Sequence, residues 1–302
     1  MSLRRALAAS VVLNVALAAI VWWLRPATMS LQAASMNGRA DVVRRILSAD
    51  KKNKDDLLAP GEAPIVYAVN YGYTDVVREF VAHGARGDVR SVYQETPLLT
   101  ATYYRRSDII ELIARGGWDV NVKDKDGLTP LVWAARFGLL PELKQLLGLG
   151  AQVNVHSRYG FTPLIVAASM GNTPEALQLL KSGADPALRD AFGQTALHQA
   201  AYLGSREIVR ALLAEPRTDV SAVNALRLTP LDYAWANSHH EVARALIAAG
   251  ASLTVKDPHG HGQAFRLLLN GFPAEELRRK LGEGPPFSAD ECRMLGRGLW
   301  CP

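Results

Sequence analysis

The chain has 302 residues, of which 49% are hydrophobic and only 7% aromatic, so its length permits an extensive core built mainly from small and aliphatic side chains. Its formal charge of +5 arises from 34 Lys and Arg set against 29 Asp and Glu. That excess is too small to imply a nucleic-acid partner.

The first element is apolar. Arg4-Arg5 closes a short n-region, residues 1–5, and Ala6–Leu24 follows with no charge and only Ser10 and Asn14 polar. Such a run is long enough to cross a bilayer as one helix. Trp22-Trp23 and then Arg25-Pro26 suit its exit at an interface. Ala16-Leu17-Ala18 offers a signal-peptidase site, so a cleaved signal peptide competes with a signal-anchor. Continuation of the run to Leu24 favours the anchor. Arg4, Arg5 and the terminal amine favour a cytoplasmic N-terminus, whereas Arg25, Arg39, Arg44 and Arg45 pull the other way. The expectation is a single pass in the inner membrane with the rest of the chain in the periplasm. A soluble secreted or periplasmic form, or a cytoplasm-facing one, is the alternative.

From residue 28 to residue 281 one pattern recurs. Ser30–Ala49 holds Ala33-Ala34, Gly38 and the apolar positions Val42, Val43, Ile46 and Leu47, without the Thr-Pro that later copies carry. Lys51–Asp56 is a charged loop. Ala63-Pro64, Thr96-Pro97, Thr129-Pro130, Thr162-Pro163, Thr195-Ala196 and Thr229-Pro230 then fall 33 residues apart four times and 34 once. In Asp124–Ala151 the logic is plainest. Asp126-Gly127 signals a turn, Thr129 can cap a helix that Pro130 opens, Gly138 can end it, and Pro141 opens a second helix ending at Gly150. Gln94, Arg105, Arg227 and Ser238 stand where other copies have Gly. Gln263–Leu269 and Pro273–Leu281 read as a last helix pair with a polar outer face. The tail, residues 282–302, carries both cysteines, Cys292 and Cys301. An oxidising compartment would close them into a disulfide; otherwise they are two free thiols.

This spacing, with Ala and Gly at fixed offsets, resembles the ankyrin repeat family, whose signature is a turn and two helices about every 33 residues with a T-P-L-H-x-A pattern. GQTALHQAAYLG, Gly193–Gly204, matches that signature best. The resemblance implies an all-α fold, an ankyrin repeat solenoid of about seven helix pairs with β-turn fingers and a C-terminal cap; the apolar run adds one transmembrane helix before it. It implies that His198 hydrogen-bonds backbone between repeats. It also implies that partners bind a concave face made by the fingers and by the residues following each Ala-Ala. On this chain the helix positions are Tyr71, Tyr103, Tyr104, Arg136, Phe137, Met170 and Tyr202. The finger positions are Tyr93, Lys125, Arg158, Tyr159, Phe161 and Phe192. Just before the fingers stand Arg90, Lys123, His156 and Arg189. Aromatic rings and guanidinium groups supply large contact area and directed hydrogen bonds, which suits a protein-binding surface. The cations imply a partner with acidic patches.

Chemistry finds little support. There is no phosphate-binding loop, no HExxH and no GxSxG. His239-His240-Glu241 and His259-Gly-His261 would make a metal site only if the two loops met. The expectation is therefore a non-enzymatic protein-binding scaffold, monomeric when free, with no cofactor, metal, nucleic acid or small-molecule substrate. It would support an exported enzyme, as the bacterial ankyrin proteins associated with catalases do. The alternatives are an immunity protein that neutralises a secreted antibacterial effector, and an enzyme with an unrecognised site.

Overall fold

Short local signals set where each helix starts. The computed structural model describes residues 29–49, 63–91, 93–256, 262–269, 271, 273–281 and 292. The expected membrane span, residues 6–24, lies outside the described residues, as do Lys51–Asp56, His259, His261 and Cys301. Among the described residues no helix is long and apolar enough to cross a membrane. No strand forms among them either; Lys256 and Gly262 make one isolated antiparallel bridge.

The chain divides after Asp119 into two units. The first holds three helix pairs: α1 (Leu31–Met36) with α2 (Ala40–Ala49), α3 (Pro64–Tyr71) with α4 (Thr74–Ala82), and α5 (Pro97–Tyr103) with α6 (Ser107–Arg115). The second holds α7 (Pro130–Phe137) with α8 (Leu140–Gly148), α9 (Pro163–Met170) with α10 (Thr173–Lys181), and α11 (Ala196–Leu203) with α12 (Arg206–Leu213). It ends with α13 (Pro230–Ala236) and α14 (His240–Ala248), then α15 (Gln263–Leu269) and α16 (Ala274–Leu281). Within each unit, first helices stack on first helices and second helices on second helices.

Side-chain size sorts the two rows. The first helices bury alanines at their contacts: Ala68 and Ala101 in one unit, and Ala134, Ala167, Ala200 and Ala234 in the other, are fully enclosed. Small residues there let short helices approach closely. The second helices bury larger groups, such as Ile109, Ile110 and Ile113 on α6 and Ile208, Val209 and Leu212 on α12. Each pair thus buries its apolar face only against its neighbours, and the core runs along the row.

Caps follow the sequence with two exceptions. Thr162 and Thr229 accept the N–H groups of Ile165 and Asp232 at 3.2 and 3.3 Å. Where Thr-Pro is missing at the start, Ser30 does the same work, accepting from Ala33 at 3.1 Å. Thr129 does not cap as expected: its hydroxyl is buried without a partner, and the backbone bond from Trp133 N–H to Thr129 O at 3.0 Å closes the first turn without it. The four residues that replace glycine keep glycine's backbone. Gln94, Arg105, Arg227 and Ser238 have φ of 63, 58, 57 and 61°. Because the left-handed region costs an ordinary residue about 1–2 kcal/mol, packing of the stack imposes these turns.

Candidate functional site

Each finger folds around one polar side chain placed three residues before the left-handed turn. Asp124 Oδ1 accepts from the N–H groups of Asp126 and Leu128, both at 2.8 Å, and its Oδ2 accepts from Trp133 Nε1 at 2.9 Å. Asp190 and Asn224 repeat the arrangement with their own fingers. Ser157 and Ser91 do it more simply, with a hydroxyl that accepts from Phe161 N–H at 3.0 Å and from Tyr93 N–H at 3.1 Å. Sequence reasoning passed over these turn-formers, although an Asp, Asn or Ser three positions before each left-handed residue, glycine in three of the five fingers, is a visible signal.

Successive fingers of the second unit are joined through backbone. Arg158 N–H donates to Asp126 O, Ala191 N–H to Tyr159 O, and Ala225 N–H to Phe192 O, each at 2.9 Å. The approach is close enough that a Cβ on Gly160 would stand 2.9 Å from the nitrogen of Ala191. Backbone therefore sets finger spacing, and the tip side chains are left for other uses.

Most of the expected contact residues do reach solvent. In the first unit Tyr71, Tyr93, Tyr103 and Tyr104 are exposed, Tyr93 most of all at 79%. Tyr103 and Tyr104 meet edge to face, with ring centres 5.1 Å apart. In the second unit Lys123, Lys125, Arg136, Phe137, His156, Arg158, Tyr159, Met170, Phe192 and Tyr202 are exposed. Tyr73 and Leu226, which the sequence reading did not select, are exposed as well.

Three expected contacts are partly used within the chain. Phe161 is half-buried against a cluster of Val132, Val155 and Val166. Arg90 donates to Gln94 O at 3.1 Å. Arg189 donates to Gly193 O and, across to the next finger, to Val223 O at 2.6 Å. An arginine just before a finger has its guanidinium within reach of carbonyls four residues ahead, which the offsets alone did not reveal.

The charges on this face are unequally engaged. Asp124 and Asp190 direct their carboxylates into their own fingers, and Asp190 is buried. Lys125, Arg136 and Arg158 make no ion pair among the described residues, although Arg136 lies 5.8 Å from the ring centre of Phe137. The face of the second unit thus presents cations beside exposed rings while its finger acids are largely withdrawn.

One cleft is set into that face. It lies between the first helices α7 and α9 and their fingers and has a volume of about 320 Å³. Leu128, Val132, Phe161 and Val166 form its apolar walls. Tyr159 and Met170 flank it, and Asp126, Arg136 and Ser169 give it polar atoms. Arg136, Tyr159, Phe161 and Met170, taken from separate stretches of sequence, are thereby brought to one place.

Two groups behind the face hold repeats together. His198 is fully buried; its Nδ1 accepts from Thr195 N–H at 3.1 Å and its Nε2 donates to Leu228 O of the next repeat at 3.2 Å. Burial pushes its pKa down to about 4, which keeps the ring neutral. At the corresponding place in the next repeat stands Asp232, which accepts from Thr229 N–H at 2.8 Å. Arg266 of α15 grips Asp232 with two hydrogen bonds of 2.9 Å, and both side chains are largely buried. The sequence reading did not select this pair, whose two members stand 34 residues apart.

Among the described residues no group of three or more His, Cys, Asp and Glu is placed to hold a metal. His239 bonds Tyr202 O at 3.0 Å, His240 lies 4.4 Å from the Trp235 ring centre, and Glu241 pairs with Arg206. Cys292 is disulfide-bonded, while Cys301 lies outside the described residues.

The family model for ankyrin repeats matches three overlapping segments, residues 31–124, 109–190 and 167–257. Comparison with curated proteins finds no significant match. With matches that together span well over half of the chain, and with the helix pairs and fingers described above, this chain belongs to the ankyrin repeat family.

Proposed function

We propose that this chain is a membrane-tethered scaffold that binds a partner protein through its finger-and-first-helix face. Ankyrin repeats are a protein–protein interaction module and typically serve as non-enzymatic scaffolds. The observation that carries the proposal is the imbalance on the second unit, where Lys125, Arg136 and Arg158 make no ion pair among the described residues and stand on the same unit as exposed Tyr159, Phe192 and Tyr202. Exposed rings are costly to leave wet over a contiguous area unless a partner covers them, and fixed cations select an acidic counterpart. Tethering is supported by the apolar run 6–24, and a periplasmic placement of the repeats by Arg4 and Arg5. That the partner is an exported enzyme, such as a catalase, rests on the family resemblance alone.

Two experiments test the reading. Affinity purification of the intact chain from its own cells is compared with that of a variant carrying Tyr103→Ala, Tyr104→Ala, Phe137→Ala and Arg158→Ala. Loss of the co-purifying partner, with an unchanged circular dichroism spectrum, is expected; full retention would remove the face from consideration. A reporter enzyme active only outside the cytoplasm, fused after Pro302, should be active if the repeats are exported.

A further inference from the structure

We infer that the cleft between α7 and α9 seats a branched or aromatic apolar side chain from an extended acidic segment of the partner. This rests on the protein-binding reading above and narrows it to one cleft and one kind of ligand. Its volume of about 320 Å³ lies at the small end of ligand pockets. The walls are aliphatic and aromatic, so an apolar side chain gains by leaving water there.

Charge decides what must flank that side chain. Among the described residues Asp126 is the only carboxylate lining the cleft, and Arg136 shares the lining with it. Lys125 and Arg158, next in sequence to Asp126 and Tyr159, add two exposed cations without ion pairs among the described residues. One anion against three cations favours acidic residues on either side of the seated group.

The surroundings favour an extended segment over a compact molecule. From Met170 the apolar surface continues to Leu203, which lies over Gly171 at 3.7 Å from where a Cβ would stand. From Tyr159 it continues to the exposed Phe192, on the finger joined to it by the Ala191 N–H to Tyr159 O bond. A chain lying along the fingers would meet the cleft first and these side chains next.

A peptide array reads this out with the full chain. Ten-residue probes carry Leu, Phe or Ala at the centre and Asp, Ser or Lys on both sides. Signal should concentrate on Leu and Phe probes flanked by Asp. Ser169→Trp, which fills the cleft from a half-buried position, should weaken it about ten-fold, and Arg136→Glu should shift preference toward Lys-flanked probes. Thermal melting of both variants checks folding. Signal indifferent to the central residue, indifferent to flanking charge, or unchanged in folded Ser169→Trp would overturn the inference. Self-association of the chain that Ser169→Trp abolishes would do so too, by giving the cleft to a second copy. If the natural partner is lost by the quadruple variant but retained by Ser169→Trp, the binding face stands and the cleft assignment alone fails.

Discussion

In the middle of the C-terminal unit, neighbouring fingers are tied through backbone, N–H to carbonyl three times over at 2.9 Å, with side chains such as Asn172 and Arg189 adding to the joints. At its far end the tie is made by side chains. Arg227 donates to Lys256 O at 2.9 Å, Gln263 donates to the Thr229 hydroxyl, and Arg266 clasps Asp232. Backbone ties make no demand on finger-tip residues, so the middle of the unit is able to carry a binding surface that varies without loss of fold. Side-chain ties fix the residues that make them. The end of the stack is accordingly specified for docking the last pair, and Arg227, which stands in place of a finger Gly, and Asp232, which stands at the position of the family's signature His, are the docking groups themselves.

Breaking the cap joint should give the largest effect. Asp232→Ala removes the carboxylate that takes two hydrogen bonds from the largely buried Arg266 guanidinium, at a cost of about 3 kcal/mol. Hydrogen exchange should then show α15 and α16 losing protection while α9 and α11 keep theirs. The double change Asp232→Leu with Arg266→Met, which removes both charges, should recover much of the loss. If Asp232→Ala leaves α15 as protected as before, the pair does not hold the cap.

His198 stands between the two kinds of joint, since one side chain there crosses to the next repeat. Its folded pKa of about 4 lies below the ordinary value of 6.5. As pH falls the unfolded chain takes up this proton first. The stabilisation is therefore complete above about pH 6.5 and disappears progressively toward pH 4, amounting to about 3 kcal/mol. In denaturant titrations across that window, wild type should lose stability faster than His198→Gln. Parallel curves would mean that the ring is not held neutral by the stack.

The repeated parts of the fold were legible because they depend on local signals. Thr-Pro, Ala-Ala and glycine at constant spacing report caps, close helix contacts and left-handed turns, and the helix pair at Gln263–Leu269 and Ala274–Leu281 could be read from its polarity. The joints were less so. Nothing in the letters of Asp232 says that Arg266, 34 residues later, will reach it. The same limit applied to the face. The resemblance to ankyrin repeats placed Tyr159, Met170 and Arg136 on one face, but only their packing with Leu128 and Val166 makes a cleft. Arg189 was legible as a cation and not as a brace, because its acceptor Val223 O belongs to the next finger.

The backbone ladder can be probed by adding one methyl group. Gly160→Ala meets both a positive φ of 74° and the neighbouring finger at 2.9 Å, whereas Gly150→Ala meets a φ of 89° and open space. Both share the conformational cost of about 1–2 kcal/mol. The excess in Gly160→Ala, about 1–3 kcal/mol by analogy with overpacking, isolates the contact between fingers. Equal destabilisation of the two variants would show that the fingers separate without penalty.

The smallest effect asks whether a departure from glycine does anything. Ser238 is exposed, holds a φ of 61° and makes no bond through its side chain among the described residues. Ser238→Gly relieves the left-handed strain and loses part of the gain to a freer unfolded chain, for a net stabilisation of about 0.5–1 kcal/mol. Arg227→Gly gains the same relief but gives up its bond to Lys256 O. Its stability should stay near that of wild type, while exchange at α15 speeds up because a tie to the cap is gone. The two substitutions make the same chemical change to the backbone, so a difference between them measures the side-chain tie alone. An equal gain in both, with α15 undisturbed, would move Arg227 from the docking groups to the ordinary surface.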